Sequence, residues 1–255
     1  MDDALIGYSG FVGQTLIKQV SFDRLYRSAN IDDIRHKKFN MVICAGAPAQ
    51  KWLANKEPVN DKKSLCRLME NLSAVECKTF ILISTVDVFS DSSGVNELSI
   101  VNEDKLHAYG LHRRQLEKFV IQKFENCLIV RLPGLVGPNL KKNIIFDFLN
   151  NNNISLIDSR SAFQFYPMVN LWSDISIALQ AGLDLIHLTS EPVTVRDIAK
   201  EAFTHDFHNE ILDMPTKYDF QTCHAKLYSS CSNYIYSKKE TMLAIRAYAQ
   251  SEARR

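Results

Sequence analysis

The chain has 255 residues, of which 46% are hydrophobic, 23% charged and 10% aromatic. This length fits one large α/β domain, or one domain with a smaller appendage. The composition, with only 9 glycines and 7 prolines, excludes disordered, collagen-like and disulfide-scaffold proteins. Thirty basic and 29 acidic residues leave a net charge of +1, so no overall field favours nucleic acid or an anionic membrane.

Targeting and metal-binding signals are weak. No apolar run reaches the roughly 18 residues that a membrane span needs, and the first residues lack the basic and apolar regions of a signal peptide. We therefore expect a cytoplasmic protein. Six cysteines occur without a C-x-x-C pair, which favours isolated thiols over disulfides or a metal site. No metal is predicted.

The first half of the chain alternates between short apolar runs and helical patterns. The runs are continuous, as is typical of parallel strands that are covered on both faces. Strands are predicted at residues 4–6, 24–27, 41–45, 79–84 and 127–132. Helices are predicted at residues 14–20, 64–73 and 109–124. This alternation predicts an α/β domain with a parallel sheet.

Beyond residue 134 the pattern loosens into short segments and loops. Two later helices are still recognisable, because residues 194–197 and 237–240 match the capping-box spacing ahead of an amphipathic run. We therefore divide the chain into a core at residues 1–135 and a second lobe at residues 136–255. The second lobe is expected to intertwine with the core and to contain the late helices.

A glycine turn follows the first predicted strand. Gly7, Gly10 and Gly13 are spaced G-x-x-G-x-x-G, and a predicted helix comes next. Such a turn lets backbone N–H groups approach a pyrophosphate and aims the helix N-terminus at its charge. An ordinary surface turn is the alternative, but the position at the head of a βαβ pattern favours dinucleotide binding.

The residues after the second predicted strand bear on the choice of cofactor. An acidic residue there would hold the adenosine ribose and repel a 2′-phosphate. Arg27 and Ser28 instead offer a guanidinium and a hydroxyl, which suit a phosphate. The sequence thus favours NADP over NAD, with an exposed loop arginine as the alternative.

Thr85, Tyr109 and Arg113 form a second candidate site. Thr85 follows the fourth predicted strand, and Tyr109 and Arg113 are four residues apart on one face of a predicted helix. A phenol acts as a general acid or base when its pKa of about 10 is lowered, and a cation one turn away favours the phenolate. The Thr85 hydroxyl would orient the substrate oxygen. A half-buried packing role is the alternative for Tyr109.

Four segments occur in order: GYSGFVG at residues 7–13, ISTVDVF at 83–89, YGLHR at 109–113 and VRLPGLVGP at 130–138. Together they resemble the signatures of the extended short-chain dehydrogenase/reductase superfamily. That superfamily includes NAD-dependent sugar-nucleotide epimerases and dehydratases and the dTDP-4-dehydrorhamnose reductases. The resemblance implies a doubly wound parallel sheet of the Rossmann type with a smaller C-terminal substrate lobe.

The motifs and the resemblance together assign residues to roles. The predicted cofactor-binding residues are Gly7, Ser9, Gly10, Phe11, Val12, Gly13, Arg27, Ser28, Ala45, Gly46, Ala47, Tyr109, Arg113 and Pro133. The predicted catalytic residues are Tyr109, Thr85 and Arg113. The predicted substrate-binding residues are Thr85, Asn143, Gln164 and Tyr166, although a solvated loop and core packing explain the last three equally well.

Arg113 departs from the family pattern, which is Y-x-x-x-K. The family lysine binds the nicotinamide ribose, lowers the pKa of the tyrosine and relays protons. Arginine keeps a cation for the first two tasks, but it is not deprotonated in proteins and cannot take part in a relay. Lys118 lies on the opposite face of the helix, and Lys105 precedes the helix.

These observations predict an NADP-preferring oxidoreductase or epimerase that acts on a hydroxyl or carbonyl of a sugar, with NAD as a second option. The resemblance favours a nucleotide-linked sugar and is compatible with a homodimer. A non-catalytic NADP-binding protein with a structural or regulatory role is the alternative, because Arg113 replaces the lysine. A fold that binds nothing is disfavoured, since strand-end glycines cost stability without a ligand or tight turn.

Overall fold

The computed structural model describes residues 1–254. The strands are β1 (Asp2–Ile6), β2 (Arg24–Tyr26), β3 (Lys38–Cys44), β4 (Glu76–Thr85), β5 (Ser93–Val95), β6 (Cys127–Leu132), β7 (Gly134–Val136), β8 (Ala162–Phe163), β9 (Phe165–Pro167), β10 (Leu185–His187), β11 (Val193–Thr194) and β12 (Asp219–Phe220). The helices are α1 (Phe11–Gln19), α2 (Lys51–Lys56), α3 (Pro58–Ser73), α4 (Ala108–Lys123), α5 (Ile144–Asn150), α6 (Leu171–Gln180), α7 (Val195–Phe203) and α8 (Lys238–Ser251). All strands and helices predicted in the first half are present. Among the described helices, none is long and apolar enough to cross a membrane.

The chain folds into two compact units, each assembled from separate stretches. The first unit consists of Met1–Ser90, Ser99–Arg131 and Leu171–Ile186. The second unit consists of Asp91–Leu98, Leu132–Asn170 and the residues from His187 onward.

Six strands among the described residues form one parallel sheet in the order β10-β6-β4-β3-β1-β2, which confirms the predicted doubly wound α/β class. Strand β1 pairs with β2 on one side and with β3 on the other, so that Leu5 lies between Leu25 and Ile43. The direction of chain progression therefore reverses between β1 and β3. In doubly wound sheets, ligands bind beyond the carboxyl ends of the strands at such a reversal.

The central strands are apolar throughout because they are buried within the first unit. Ala4, Val42 and Phe80 are fully buried. The Phe80 ring of β4 stacks on the Phe124 ring at the end of α4, with centroids 4.1 Å apart. Helices α3 and α4 pack against each other, so α4 is fixed relative to the carboxyl end of β4.

The described residues of the second unit form small sheets and three α-helices. Strand β7 pairs with β9, β8 with β11 and β5 with β12, while α7 packs on α8. Both predicted helix caps are confirmed. The Thr194 side chain accepts the Asp197 N–H at 3.1 Å, and Ser237 and Glu240 form a reciprocal capping box.

Candidate functional site

The glycine turn lies between β1 and α1, where the sheet order reverses. Gly7 has a φ of +85° and donates its N–H to the Tyr26 carbonyl at 2.8 Å. A Cβ at Gly7 would overlap the Ala45 carbonyl, and a Cβ at Gly13 would overlap the Gly7 carbonyl. Packing of the chain on itself therefore requires glycine at both positions.

Gly10 is not required by packing in the same way. Its φ of −78° and ψ of 170° suit any residue, and the nearest described neighbour of an added Cβ is the Gly7 carbonyl oxygen at 3.4 Å. Gly10 is also the N-cap of α1. Within the described chain, no side chain caps this helix end and no acid lies in its first turn. A bare helix N-terminus beside open space fits the pyrophosphate of a dinucleotide.

The other predicted residues of the turn are close by. Ser9 is exposed, and Phe11 and Val12 are half-buried where α1 begins. Their positions leave the backbone of the turn accessible, as binding through N–H groups requires.

Arg27 and Ser28 lie exposed beyond the end of β2. The guanidinium carbon of Arg27 is 5.9 Å from the centre of the Tyr8 ring, within the range of a cation–π contact. The Arg27 N–H donates to Asn30 Oδ1 at 2.7 Å, which fixes the backbone of this loop. The fold thus brings a cation to the glycine turn, as the sequence predicted.

The loop after β3 touches the glycine turn from the other side. The Ala45 N–H donates to the Ile6 carbonyl at 2.8 Å. Gly46 and Ala47 are half-buried, and a Cβ at Gly46 would lie 2.9 Å from Ile6 Cγ2. The chain therefore passes close to β1 here, at the edge where a ligand of the turn would lie.

Thr85 ends β4, and Tyr109 lies in the first turn of α4. Both side chains are largely buried, and the Thr85 hydroxyl is close enough to the phenol to lower its pKa. The Tyr109 N–H donates to Asn55 Oδ1 at 2.9 Å. A Cβ at Gly110 would overlap the Asp87 carbonyl, so α4 begins close against the end of β4. The structure therefore brings together the two groups that the sequence predicted to act on one substrate oxygen.

The ionisation of Tyr109 differs from the sequence prediction. Burial raises the pKa of the phenol, and the nearby Asp87 carboxylate raises it further. Arg113, the Thr85 hydroxyl and Lys51 lower the pKa, but they do not offset burial. The net direction is upward, so Tyr109 carries its proton at neutral pH and is suited to donate it.

Arg113 is 2% exposed, and the protein itself occupies both Nη atoms of its guanidinium. Nη1 and Nη2 donate to the two carboxylate oxygens of Asp61 at 2.5 and 2.8 Å. Nη1 also donates to the Tyr109 carbonyl at 3.2 Å, and Nη2 to the Pro48 carbonyl. The guanidinium carbon lies 3.9 Å from the centre of the Tyr109 ring. The Nη donors of Arg113 therefore fix Tyr109 and the loop after β3, while its role in holding ribose stays a prediction.

Asp61 is the site residue that sequence reasoning missed. It lies in the first turn of α3, is 7% exposed and also contacts His112 Nδ1 at 2.7 Å. Burial raises the pKa of Asp61, but hydrogen bonds from Arg113 and His112 outweigh burial and bring the pKa below its ordinary value. In the sequence, Asp61 resembles any acidic residue near a helix N-terminus.

Asn143, a predicted substrate residue, lies in the second unit and caps α5. It has a φ of 107°, and its Oδ1 accepts the N–H groups of Ile145 and Phe146 at 3.0 and 3.3 Å. Its Nδ2 donates to the Leu135 carbonyl at 2.9 Å. These bonds give the side chain a structural role, and its role as a substrate contact stays a prediction.

Gln164 and Tyr166 are also buried inside the second unit. Gln164 donates to the carbonyls of Ser190 and Phe220 at 2.6 and 2.8 Å and accepts the Phe220 N–H at 2.7 Å. Tyr166 is fully buried, with its ring 5.8 Å from that of Tyr236. These contacts favour core packing, the alternative given for both residues, and their role as substrate contacts stays a prediction. Pro133 lies half-buried between β6 and β7 in the same unit.

A polar cluster in the second unit consists of Glu97, Cys223 and His224, whose ligand-type atoms all lie within 4.8 Å of one another. The Glu97 carboxylate accepts the His187 N–H, the Thr222 hydroxyl and the Cys223 N–H at 2.6 to 2.9 Å. Burial and the Glu97 charge raise the pKa of the Cys223 thiol to about 11. Hydrogen bonding accounts for this cluster, and we infer no metal from it.

No family model matches the chain, and no curated protein matches it. Several solved structures do. The chain is similar to a UDP-galactose 4-epimerase at 15% identity, with 98% of each chain covered and a TM-score of 0.72. A dTDP-4-dehydrorhamnose reductase from Clostridium acetobutylicum matches at 16% identity, with 98% of this chain and 99% of that chain covered and a TM-score of 0.71. RMD from Pseudomonas aeruginosa, complexed with NADPH, matches at 17% identity, with 99% and 100% covered and a TM-score of 0.71. These similarities confirm the predicted Rossmann-type fold.

Proposed function

We propose that this chain is an NAD(P)-dependent oxidoreductase or epimerase that acts on a hydroxyl or carbonyl of a nucleotide-linked sugar, with NADP preferred. The observation that carries the proposal is the uncapped N-terminus of α1 at Gly10, where an added Cβ would meet only the Gly7 carbonyl oxygen at 3.4 Å among the described residues that are not its neighbours in the chain or in α1. The names of the similar structures, which include two enzymes of nucleotide sugars and one NADPH complex, support the classes of substrate and cofactor.

The cofactor would be held along the carboxyl edge of the sheet. The residues proposed to hold it are Gly7, Ser9, Gly10, Phe11, Val12, Gly13, Arg27, Ser28, Ala45, Gly46, Ala47 and Pro133. When bound, the nicotinamide ring supplies or accepts a hydride. Tyr109 holds the proton that passes to or from the sugar oxygen, and the Thr85 hydroxyl orients that oxygen. Arg113 fixes the Tyr109 ring.

A non-catalytic dinucleotide-binding protein is the second candidate. Its support is the pairing of Arg113 with Asp61, which removes a cation from ligand binding. Turnover distinguishes the candidates. The purified chain would be incubated with NADPH and a panel of UDP- and dTDP-linked 4-keto sugars, and with NAD(P) and UDP-hexoses. Hydride transfer or epimer formation with any of them supports the enzyme, whereas dinucleotide binding with no conversion supports the second candidate.

Gly10→Val is expected to abolish dinucleotide binding without unfolding the protein. Valine adopts the backbone angles of Gly10, and beyond the neighbouring residues of the chain and helix the nearest described atom to the added Cβ is the Gly7 carbonyl oxygen at 3.4 Å. The new methyl groups would occupy the space through which a pyrophosphate reaches the N–H groups. Calorimetry with NADP, NADPH, NAD and NADH should show at least a tenfold loss of affinity, while the melting temperature without ligand stays close to that of the wild type. Equal affinity in the variant, or no binding by the wild type, would refute the proposed cofactor site.

Arg27→Gln is expected to weaken NADP(H) binding by a factor of about 10 to 100, because one charge-assisted contact to the 2′-phosphate is lost. Affinity for NAD(H) should change little. Arg24→Gln is a matched control, since Arg24 is an exposed arginine at the opposite end of β2 and pairs with Asp2 at 2.8 Å. Titrations of both variants with both cofactors test the preference. An equal loss for NADP(H) and NAD(H) would contradict recognition of the 2′-phosphate by Arg27.

A further inference from the structure

Tyr109 is buried, and the arginine that touches its ring is paired with Asp61. The charge of Arg113 is therefore largely balanced inside the first unit. In such a place the pKa of a phenol responds to any further charged group nearby. The elements packed around Tyr109 offer one such group, on helix α2.

Two hydrogen bonds join helix α2 and the loop before it to α4. The Pro48 carbonyl accepts from Arg113, and Asn55 Oδ1 accepts the Tyr109 N–H at 2.9 Å. Lys51 is four residues before Asn55, so the two side chains lie on the same face of α2. The fold thus places the Lys51 side chain on the face of α2 that is turned towards Tyr109.

The Lys51 ammonium is joined to Thr85 through one carboxylate. Lys51 Nζ lies 2.7 Å from Asp87 Oδ1, and Asp87 Oδ2 lies 3.5 Å from Thr85 Oγ1. The Asp87 N–H also donates to Thr85 Oγ1 at 3.1 Å. The side chain of Lys51 is 39% exposed and that of Asp87 is 23% exposed. A line of polar groups therefore runs from solvent to the hydroxyl that contacts Tyr109.

The two charges of this line act on Tyr109 in opposite directions. The titratable and charged side chains around the Tyr109 ring are Arg113, His107, Asp87 and Lys51. Asp61 of α3 bonds Arg113 and His112 and so belongs to the same surroundings. Asp87 raises the pKa of Tyr109, while Lys51 and Arg113 lower it. Within this set, Lys51 is the cation that pairs with Asp87, beside Thr85, and that is partly exposed to solvent.

We propose that Lys51 and Asp87 form a positioning pair for Tyr109, in which the carboxylate holds the ammonium and the Thr85 hydroxyl, and the ammonium balances the carboxylate beside the phenol. The pair rests on the proposed function for the reaction that Tyr109 serves. Its effect on the phenol exists without cofactor or substrate, so it is measurable separately. The sequence does not indicate this pair, because Lys51 and Asp87 lie outside the helix that carries Tyr109.

The test is a titration of Tyr109 in protein labelled with ¹³C at the tyrosine Cζ, with the resonance assigned by its absence in Tyr109→Phe. Asp87→Asn should lower the pKa of Tyr109 by about one unit, and Lys51→Met should raise it. The double variant should return towards the wild type. Lys51→Arg, which keeps the charge, and Lys56→Met, an exposed lysine at the end of the same helix, should leave the titration unchanged.

Opposite shifts from the two single variants support the pair, because a merely structural role would not reverse sign with the sign of the charge removed. Shifts in the same direction, or a titration that neither variant moves, would overturn it. The NMR result and the dinucleotide titrations are independent. Opposite shifts in a chain that binds no dinucleotide would leave the pair in place and refute the proposed function. Once a substrate is known, the pH profile of kcat/KM should move in the same directions.

Discussion

Tyr109→Phe is expected to lower kcat by a factor of about 10² to 10⁴, the usual contribution of a general acid or base. This range corresponds to about 3 to 5 kcal/mol of transition-state stabilisation. The variant keeps the aromatic ring, whose centre lies 3.9 Å from the Arg113 guanidinium carbon, and so keeps the packing of α4. It removes the hydroxyl that lies near Thr85 and that carries its proton at neutral pH.

Binding measurements separate this chemical loss from a structural one. Dinucleotide affinity in Tyr109→Phe should stay within a few-fold of the wild type, because the glycine turn and Arg27 are untouched. Tyr26→Phe is a matched control, since the described partner of its hydroxyl is Lys37 Nζ at 3.3 Å, at the surface. Its kcat should not change. If Tyr109→Phe turned over like the wild type, the phenol would not be the proton donor.

The sequence predicts the fold of the first unit well because its signals are local. Continuous apolar runs of five or six residues are typical of parallel strands that are buried on both faces of a sheet, and closely spaced glycines between β1 and α1 are typical of a phosphate-binding turn. The second unit is less predictable. Its strands have two or three residues, and α5 has seven, which is too short for a helical period to be recognised.

The site shows the same division between local and distant signals. Thr85 and Tyr109 follow from motifs, but the role of Arg113 depends on Asp61, which lies 52 residues away on another helix. Nothing in the spacing of the sequence indicates that pair. The structure also changes what Arg113→Lys would show. A lysine ammonium cannot bond both carboxylate oxygens in the bidentate geometry of arginine, so that substitution disturbs the fold as well as the chemistry.

Asp61→Asn is expected to lower the free energy of unfolding by about 3 to 5 kcal/mol, the usual cost of leaving one partner of a buried ion pair alone. The side chains of Asp61 and Arg113 are 4% and 3% exposed. Water therefore cannot solvate the charge of the guanidinium when the carboxylate is replaced by a neutral amide. Folded domains are stable by only about 5 to 15 kcal/mol, so the loss should be large in urea unfolding at neutral pH. Asp61→Asn combined with Arg113→Met should be more stable than Asp61→Asn alone, since the unpaired charge is gone.

Asp32→Asn provides the control, because Asp32 bonds Arg67 at 2.6 Å with both side chains more than half exposed, where an ion pair contributes little. An equal loss in Asp32→Asn and Asp61→Asn would contradict the importance of the buried pair.

The pH dependence gives a second check. The pKa of Asp61 is lower in the folded protein than in the unfolded chain, so the unfolded state takes up the proton first as the pH falls. The stability that the pair contributes is therefore complete above the unfolded pKa of about 4 and is lost as the pH falls through the folded value. The difference in stability between wild type and Asp61→Asn should accordingly shrink in acid, and a difference that grew there would show that the Asp61 carboxylate is not stabilised by Arg113.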